Sequence, residues 1–231
     1  NLDGEEIEKE LKTIEWDAEA AEKAGFEHFM MKEIHEQPKA VSDTINSVVK
    51  DGKIDLSEVG LDEDTIRNVS QIYIVACGSA YHTGVTAKYV IEGLARIPVE
   101  VDVASEFRYR DPILQKGNMV IVISQSGETA DTLAALRESR ERGFKVLGIV
   151  NVVGSSIARE ADSVMYTWAG PEIAVATTKA YSAQLTALYM LAMKFARVRG
   201  TIDQEKFAGM LTDLRLSLIH ISEPTRRTPI S

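Results

Sequence analysis

The chain has 231 residues, with 26 Lys and Arg against 35 Asp and Glu, which gives a formal net charge of −9. This length suits one globular domain with an appendage, or two small domains, and the 45% hydrophobic content excludes a disordered or fibrous chain. The sequence contains no apolar run of about 18 residues and no secretory signal, so no membrane contact is expected. A single cysteine excludes a disulfide framework, and the acidic balance argues against nucleic acid as a partner.

The acidity is concentrated in the first third of the chain. Residues 1–70 carry 19 acidic and 8 basic side chains, a net of −11, while the remaining residues carry 16 and 18, a net of +2. A break of this kind near residue 70 marks a candidate domain boundary. The first third is interpreted either as a solvated helical segment or as a linker joined to a nearly neutral ligand-binding domain.

Apolar residues at helical spacing predict helices over 5–12, 18–24 and 26–37. Pro38 is predicted to end the third of these helices or to begin another, because proline lacks the backbone donor. The periodicity continues to about residue 50, and Asp51-Gly52 then predicts a turn.

Beyond residue 70, short β-branched runs alternate with helical segments. The predicted strands are 71–76, 99–103, 119–123, 145–150 and 164–167. The predicted helices are 79–95, 129–142, 155–161 and 178–198. This alternation indicates parallel βαβ units, and strands that are apolar throughout indicate a sheet covered on both faces. We therefore expect an α/β fold with an open, doubly wound, mostly parallel five-stranded sheet, flavodoxin-like, in the order 2-1-3-4-5.

The run SQSGET follows a predicted strand and opens a predicted helix. Gly127 allows the backbone to approach a ligand closely, and the helix N-terminus offers unpaired N–H donors of the kind that bind phosphate. The hydroxyls of Ser124, Ser126 and Thr129 can donate to phosphate oxygens without adding charge. The alternative is an ordinary helix start, with Ser126 as the N-cap and Glu128 favoured by the helix dipole.

A second loop, Cys77-Gly78-Ser79-Ala80, also follows a strand and opens a helix. In the order 2-1-3-4-5 the strands before these two loops are neighbours, so both loops face one crevice. Two such loops suit a phosphorylated polyol better than a dinucleotide, and no G-x-G-x-x-G run is present. Cys77 is interpreted either as a reactive thiol at a helix start or as a small buried residue.

A third element, EIAVATTK over residues 172–179, precedes the longest predicted helix, with Thr178 as the predicted N-cap. Its backbone is placed to close the crevice over a sugar; the alternative is a plain helix entry with a surface lysine. The four histidines have no carboxylate or cysteine partners at ligand spacing, so no metal site is expected. The crevice lacks an evident general base.

Seven motifs stand in order along the chain. They are IEWD at 14–17, HFMMKEIHEQP at 28–38, ACGSAYHTG at 76–84, ASEFRYR at 104–110, SQSGETADTL at 124–133, NVVGSSIARE at 151–160 and ATTKAYSAQLTAL at 176–188. Together they resemble the glutamine–fructose-6-phosphate aminotransferase (isomerizing) family, the glucosamine-6-phosphate synthases, over roughly residues 10–215. Many sugar isomerase (SIS) domains carry a similar Ser-X-Ser-Gly-X-Thr loop, so the other motifs add specificity.

The resemblance implies a fragment that follows a missing glutaminase domain. Its parts are a linker over 1–65, a first SIS domain over 66–203, the start of an inter-module helix over 204–216 and a non-native or disordered tail over 217–231. The tail departs from the family and contains two prolines.

The resemblance also implies site residues. The sugar phosphate is held by Ser124, Gln125, Ser126 and Thr129, with Gly127 in the same loop. Ser79 and Ala80 line the pocket, although the family commonly has a serine where Ala80 stands, so only its N–H can donate. The backbone of Val175, Ala176 and Thr177 contacts the sugar.

The family makes glucosamine 6-phosphate and glutamate from fructose 6-phosphate and glutamine, in the cytoplasm, as a homodimer and without a cofactor. Its nucleophilic cysteine, ring-opening histidine, basic glutamate and Schiff-base lysine have no counterparts here. We therefore expect weak binding of fructose 6-phosphate and glucosamine 6-phosphate, and no turnover.

Three other functions remain open from the sequence. A single SIS sensor of sugar phosphates would need a helix-turn-helix and a basic face, whereas residues 1–70 are acidic. A stand-alone aldose–ketose isomerase would need its own base. A flavodoxin-like protein would use the SQSGET loop for a flavin phosphate and would be coloured.

Overall fold

The computed structural model describes residues 22–222, with side chains described up to residue 216. The predicted helix over 5–12 and most of the one over 18–24 lie outside the described residues. Residues 22–24 are not helical, because Ala24 and Gly25 form a turn with positive φ values of 48° and 84°.

Eight helices and seven strands lie within residues 22–222. The helices are α1 (Phe29–Val48), α2 (Glu63–Asn68), α3 (Gly78–Ala95), α4 (Ala104–Tyr109), α5 (Ala130–Glu141), α6 (Ser156–Glu160), α7 (Lys179–Val198) and α8 (Gln204–Ser222). The strands are β1 (Val49–Lys50), β2 (Lys53–Ile54), β3 (Gln71–Ala76), β4 (Val99–Val103), β5 (Asn118–Ser124), β6 (Lys145–Val150) and β7 (Ser163–Tyr166).

The main sheet has five parallel strands in the order β4-β3-β5-β6-β7, which confirms the predicted order 2-1-3-4-5. Alternate residues of β3, β5, β6 and β7 enter two separate cores. Ile72, Ile74 and Ile121 pack towards α1, α3, α7 and α8, whereas Tyr73 and Val120 pack towards α4, α5 and α6. Helices therefore cover both faces of the sheet, as the apolar strands predicted.

Pro38 neither ends nor begins a helix, so that prediction is wrong: it lies inside α1. Proline cannot donate to the carbonyl four residues back, which here belongs to Ile34. The side-chain amide of Gln37 donates to that carbonyl instead, at 3.3 Å. This side-chain bond replaces the missing backbone bond and lets α1 continue to Val48.

The predicted turn at Asp51-Gly52 is confirmed. Both residues have positive φ values, 50° and 71°, as a type I′ turn between two antiparallel strands requires. The turn joins β1 to β2.

The sequence pattern did not predict two short helices, α2 and α4, and it predicted a shorter α8. Helix α2 is short, and its Asp62 cap accepts from the Thr65 N–H at 2.6 Å. Helix α4 begins directly after β4 in the polar ASEFRYR run. Helix α8 continues to Ser222, past residue 216.

Gly84 sets how closely α3 packs on the sheet, and so where its N-terminus lies. A Cβ there would be 2.8 Å from Ile74 Cγ2 and 3.1 Å from Val101 Cγ1. We predict that Gly84→Val lowers the free energy of unfolding by about 2 kcal/mol, because overpacking forces the helix away from β3. In the control Gly93→Ala, on the open side of the same helix, stability should rise by about 0.5–1 kcal/mol. Urea unfolding measures both changes in the free energy of unfolding. If the two variants changed stability equally, the close packing of Gly84 against the sheet would be contradicted.

The bidentate pair of Arg137 and Glu160, with both N–O distances 2.7 Å, joins α5 to α6. The hydrogen bond from Arg137 holds the pKa of Glu160 below its ordinary value of 4.5. The unfolded chain therefore takes up this proton first as the pH falls, and the stabilisation present above pH 4.5 is lost as pH falls through the lowered pKa.

We predict that Glu160→Gln is slightly less stable than the parent chain at pH 7, and that this difference shrinks below pH 4. The pair is partly exposed, so the effect is small. Urea unfolding at both pH values tests it, with Glu141→Gln, an exposed residue of α5, as the control. A difference that stays the same at both pH values would contradict this linkage.

Candidate functional site

The two predicted loops begin side by side at the carboxyl edge of the sheet. Ala76 and Ile123 are partners in the β3–β5 register. The chain leaves β3 towards β4 on one side and returns to β5 on the other, so the crevice between them is a topological switch point. Thr132 Oγ1, in the first turn of α5, lies 3.8 Å from Cys77 Sγ and links that helix to the loop after β3.

The SQSGET loop is a tight turn held by its own hydroxyls. Ser124 is buried, and its Oγ lies 2.9 Å from Thr129 Oγ1 and accepts from the Gly127 N–H at 3.0 Å. Ser126 Oγ accepts from the Glu128 N–H at 3.2 Å. The hydroxyl of Ser124 thus shapes the loop, whereas half-buried Ser126 keeps its O–H to donate.

Gly127 is required at its position for two reasons. Its φ is +68°, a backbone angle that residues with a side chain rarely adopt. A Cβ at this position would also lie 2.0 Å from Ser155 Oγ. The Gly127 carbonyl also accepts from the Ile157 N–H at 3.0 Å. The loop is therefore pressed against the start of α6, where Ser155 Oγ is buried and has no hydrogen-bond partner among the described residues.

The carboxylate of Glu128 serves α6 and not α5. It accepts from the Ser156 N–H at 2.7 Å, and this backbone bond lowers the pKa of Glu128 below 4.5. The N-cap of α5 is Thr129, not Ser126. The alternative in which Ser126 caps α5 and Glu128 serves its dipole is therefore wrong.

Two helix N-termini face the crevice without a side-chain cap. Neither Thr129, the N-cap of α5, nor Cys77, the N-cap of α3, makes a side-chain capping hydrogen bond. The first N–H groups of a helix carry partial positive charge and favour an anion. Ser79 is exposed beside them, while the side chain of Ala80 is buried in the apolar core under α3.

The third predicted element contains its own helix cap. The Glu172 carboxylate accepts from the N–H groups of Thr178 at 2.9 Å and Ala180 at 3.2 Å, and from Thr177 Oγ1 at 2.8 Å. Thr178 is the N-cap residue of α7, as predicted, but its side chain makes no capping bond. The N-terminus of α7 is therefore occupied by a carboxylate, unlike those of α3 and α5.

Lys179 is not the surface lysine of the alternative interpretation. It is 2% exposed and pairs with Glu36 Oε2 of α1 at 2.6 Å. The sequence does not predict this ion pair, because Glu36 is 143 residues away from Lys179.

Sequence reasoning missed Glu33 on α1. Glu33 is 1% exposed, and its Oε1 accepts from the N–H groups of Ile173 at 2.6 Å and Ala174 at 3.1 Å. The sequence signal for Glu33 was the charged pair Lys32-Glu33 among apolar residues of a predicted helix.

A separate cleft lies away from this crevice. A cleft of about 650 Å³ lies at the opposite, amino edge of the sheet and includes Lys116, Arg142 and Lys145. None of the predicted site residues lines it. Within residues 22–222, no group of three or more metal-ligating side chains is assembled, and no helix is long and apolar enough to cross a membrane.

Comparison with known proteins places the chain in a family. The model of the SIS domain matches residues 65–194. Glutamine–fructose-6-phosphate aminotransferases (isomerizing) of Clostridium acetobutylicum and Methanosarcina acetivorans are 59% and 52% identical to it, each over 92% of the chain. The chain spans about a third, 35%, of the length of these relatives.

A solved structure agrees with these matches. The C-terminal domain of glucosamine-fructose-6-phosphate aminotransferase from Francisella tularensis is 42% identical, with a TM-score of 0.82, over 86% of this chain and 56% of that one. The fold and the family match agree. The chain therefore belongs to the SIS domain family, and over most of its length it is similar to part of the glutamine–fructose-6-phosphate aminotransferases.

Proposed function

We propose that this chain binds the phosphate of fructose 6-phosphate and of glucosamine 6-phosphate in the crevice between β3 and β5. The observation that carries the proposal is the pair of uncapped helix N-termini, of α3 and α5, beside two hydroxyl-bearing loops. The names of the similar enzymes indicate the sugar.

The phosphate is bound without a fixed positive charge. We assign it to the N–H groups at the start of α5 together with the side chains of Ser126, Gln125 and Thr129. Ser124 and Gly127 hold the loop in the required shape. Glu128, which would repel a dianion, is turned towards Ser156, so its charge is directed away from this position.

The sugar is covered by the segment that ends in α7. This segment follows β7 and passes the carboxyl end of β6, where Asn151 donates from Nδ2 to the Gly170 carbonyl at 2.7 Å. The Asn151 N–H donates in turn to the Gln125 carbonyl at 3.1 Å, which joins the segment to the SQSGET loop. Val175 and Ala176 are exposed, which leaves the backbone of Val175, Ala176 and Thr177 accessible to sugar hydroxyls. Ser79 and the N–H of Ala80 line the other side.

We further propose that the chain acts as one module of a larger cytoplasmic enzyme. That enzyme makes glucosamine 6-phosphate from fructose 6-phosphate and glutamine, and it works as a homodimer. The support is the 35% coverage of relatives that are more than 50% identical. In this proposal the catalytic groups belong to other modules, so no residue of this chain is assigned a catalytic role.

We predict that Ser126→Ala weakens the binding of fructose 6-phosphate about 10- to 100-fold, because a hydrogen bond to a charged group is lost. Thermal shift and calorimetric titration with fructose 6-phosphate, glucosamine 6-phosphate and flavin mononucleotide measure this effect. Ser57→Ala, an exposed serine outside the crevice, is the control and should bind like the parent chain. If Ser126→Ala keeps the full sugar-phosphate shift, the assigned loop is wrong; if flavin mononucleotide alone gives a shift, the assigned ligand is wrong.

A further inference from the structure

Helix α1 lies outside the part of the chain that matches the SIS domain, residues 65–194, yet it is attached to the segment proposed to cover the sugar. The attachment is polar and buried. It runs between one face of α1 and residues 172–182, at the entry to α7.

Glu33 is at the centre of this attachment. Its Oε1 accepts two consecutive backbone N–H groups, those of Ile173 and Ala174. Its Oε2 is buried and has no hydrogen-bond partner among the described residues. The hydrogen bonding of this carboxylate is therefore directed at one pair of peptide groups, the two directly before Val175.

A buried ion cluster holds α1 in place beside Glu33. Glu36 pairs with Lys179 at 2.6 Å and with Lys32 at 3.3 Å, and both lysine side chains are at most 7% exposed. Gln37 Oε1 accepts from Ser182 Oγ at 2.6 Å. Buried pairs of this kind contribute little net stability but are costly to break, so they fix the register of α1 against α7.

The segment proposed to cover the sugar, residues 172–178, is fixed by carboxylates near both of its ends. Glu172 fixes its end at Thr177 and Thr178, and Glu33 fixes its beginning at residues 173 and 174. Val175 and Ala176, between these anchors, are exposed. Without the Glu33 anchor, several residues of this segment would have to become ordered when the sugar binds. Each residue that becomes ordered loses conformational entropy, and this loss opposes binding.

We propose that Glu33 is a positioning residue for sugar recognition: it holds the backbone of residues 173–177 in the conformation that contacts the sugar. The inference rests on the proposed function, because it assumes that this segment meets the sugar while the SQSGET loop meets the phosphate. It also makes a helix outside the SIS match part of the binding apparatus.

The test separates the sugar from the phosphate. Affinities for fructose 6-phosphate and for inorganic phosphate are measured by titration on the full chain, for the parent, Glu33→Ala and Glu33→Gln. We expect Glu33→Ala to bind fructose 6-phosphate at least about 10-fold more weakly while its affinity for inorganic phosphate stays within about 2-fold. Glu33→Gln keeps an oxygen that can accept both N–H groups, so it should recover most of the sugar-phosphate affinity.

Amide hydrogen exchange gives a second readout that needs no ligand. Exchange at Ile173 and Ala174 should quicken in Glu33→Ala and stay slow in Glu33→Gln. Asp43→Ala is the matched control, because Asp43 lies on the same helix and pairs only at the surface with Lys39, at 2.6 Å, among the described contacts. It should change neither exchange nor affinity.

The outcomes are distinguishable. Equal weakening of both ligands in Glu33→Ala would show a general structural role, and unchanged binding and exchange would show no role; either result overturns the inference and leaves the proposed function intact. If the parent chain binds no sugar phosphate, the proposed function fails and the inference fails with it.

Discussion

The arrangement of the site depends on the parallel pairing of β3 with β5. This pairing places Ala76 beside Ile123, so two loops and the starts of α3 and α5 meet at one edge. Neighbouring parallel strands that are separated by a crossover to β4 create this crevice through topology alone. Gly84 and the alternating apolar residues of the strands hold the helices close enough to keep their N-termini there.

The crevice suits an anion through dipoles and hydroxyls. A lysine would bind phosphate as a point charge, with less dependence on geometry. Backbone N–H groups and hydroxyls act only in a fixed arrangement, which explains why Ser124 and Gly127 are used to hold the loop itself. The same requirement applies at the segment proposed to cover the sugar, where Glu33 and Glu172 fix the two ends of an exposed stretch.

Local patterns were sufficient for the sheet and insufficient for the polar contacts between distant segments. Strands 71–76, 99–103 and 145–150 match their predicted bounds, because a β-branched run between turn residues is a local signal in the sequence. The loops after β3 and β5 meet as predicted, whereas the roles of their residues in binding stay predictions. Glu33 and the burial of Lys179 could not be found, since their partners lie about 140 residues away. Pro38 misled because its effect depends on the neighbouring Gln37 side chain.

The most direct test of the central claim is a crystal structure of the chain with fructose 6-phosphate bound. The phosphate should lie at the N-terminus of α5, within hydrogen-bond distance of Ser126 and the N–H groups of its loop. The sugar should lie beneath residues 175–177. A phosphate found instead in the cleft at the amino edge, against Lys116, Arg142 or Lys145, would contradict the claim that this fold binds its ligand through helix ends and hydroxyls.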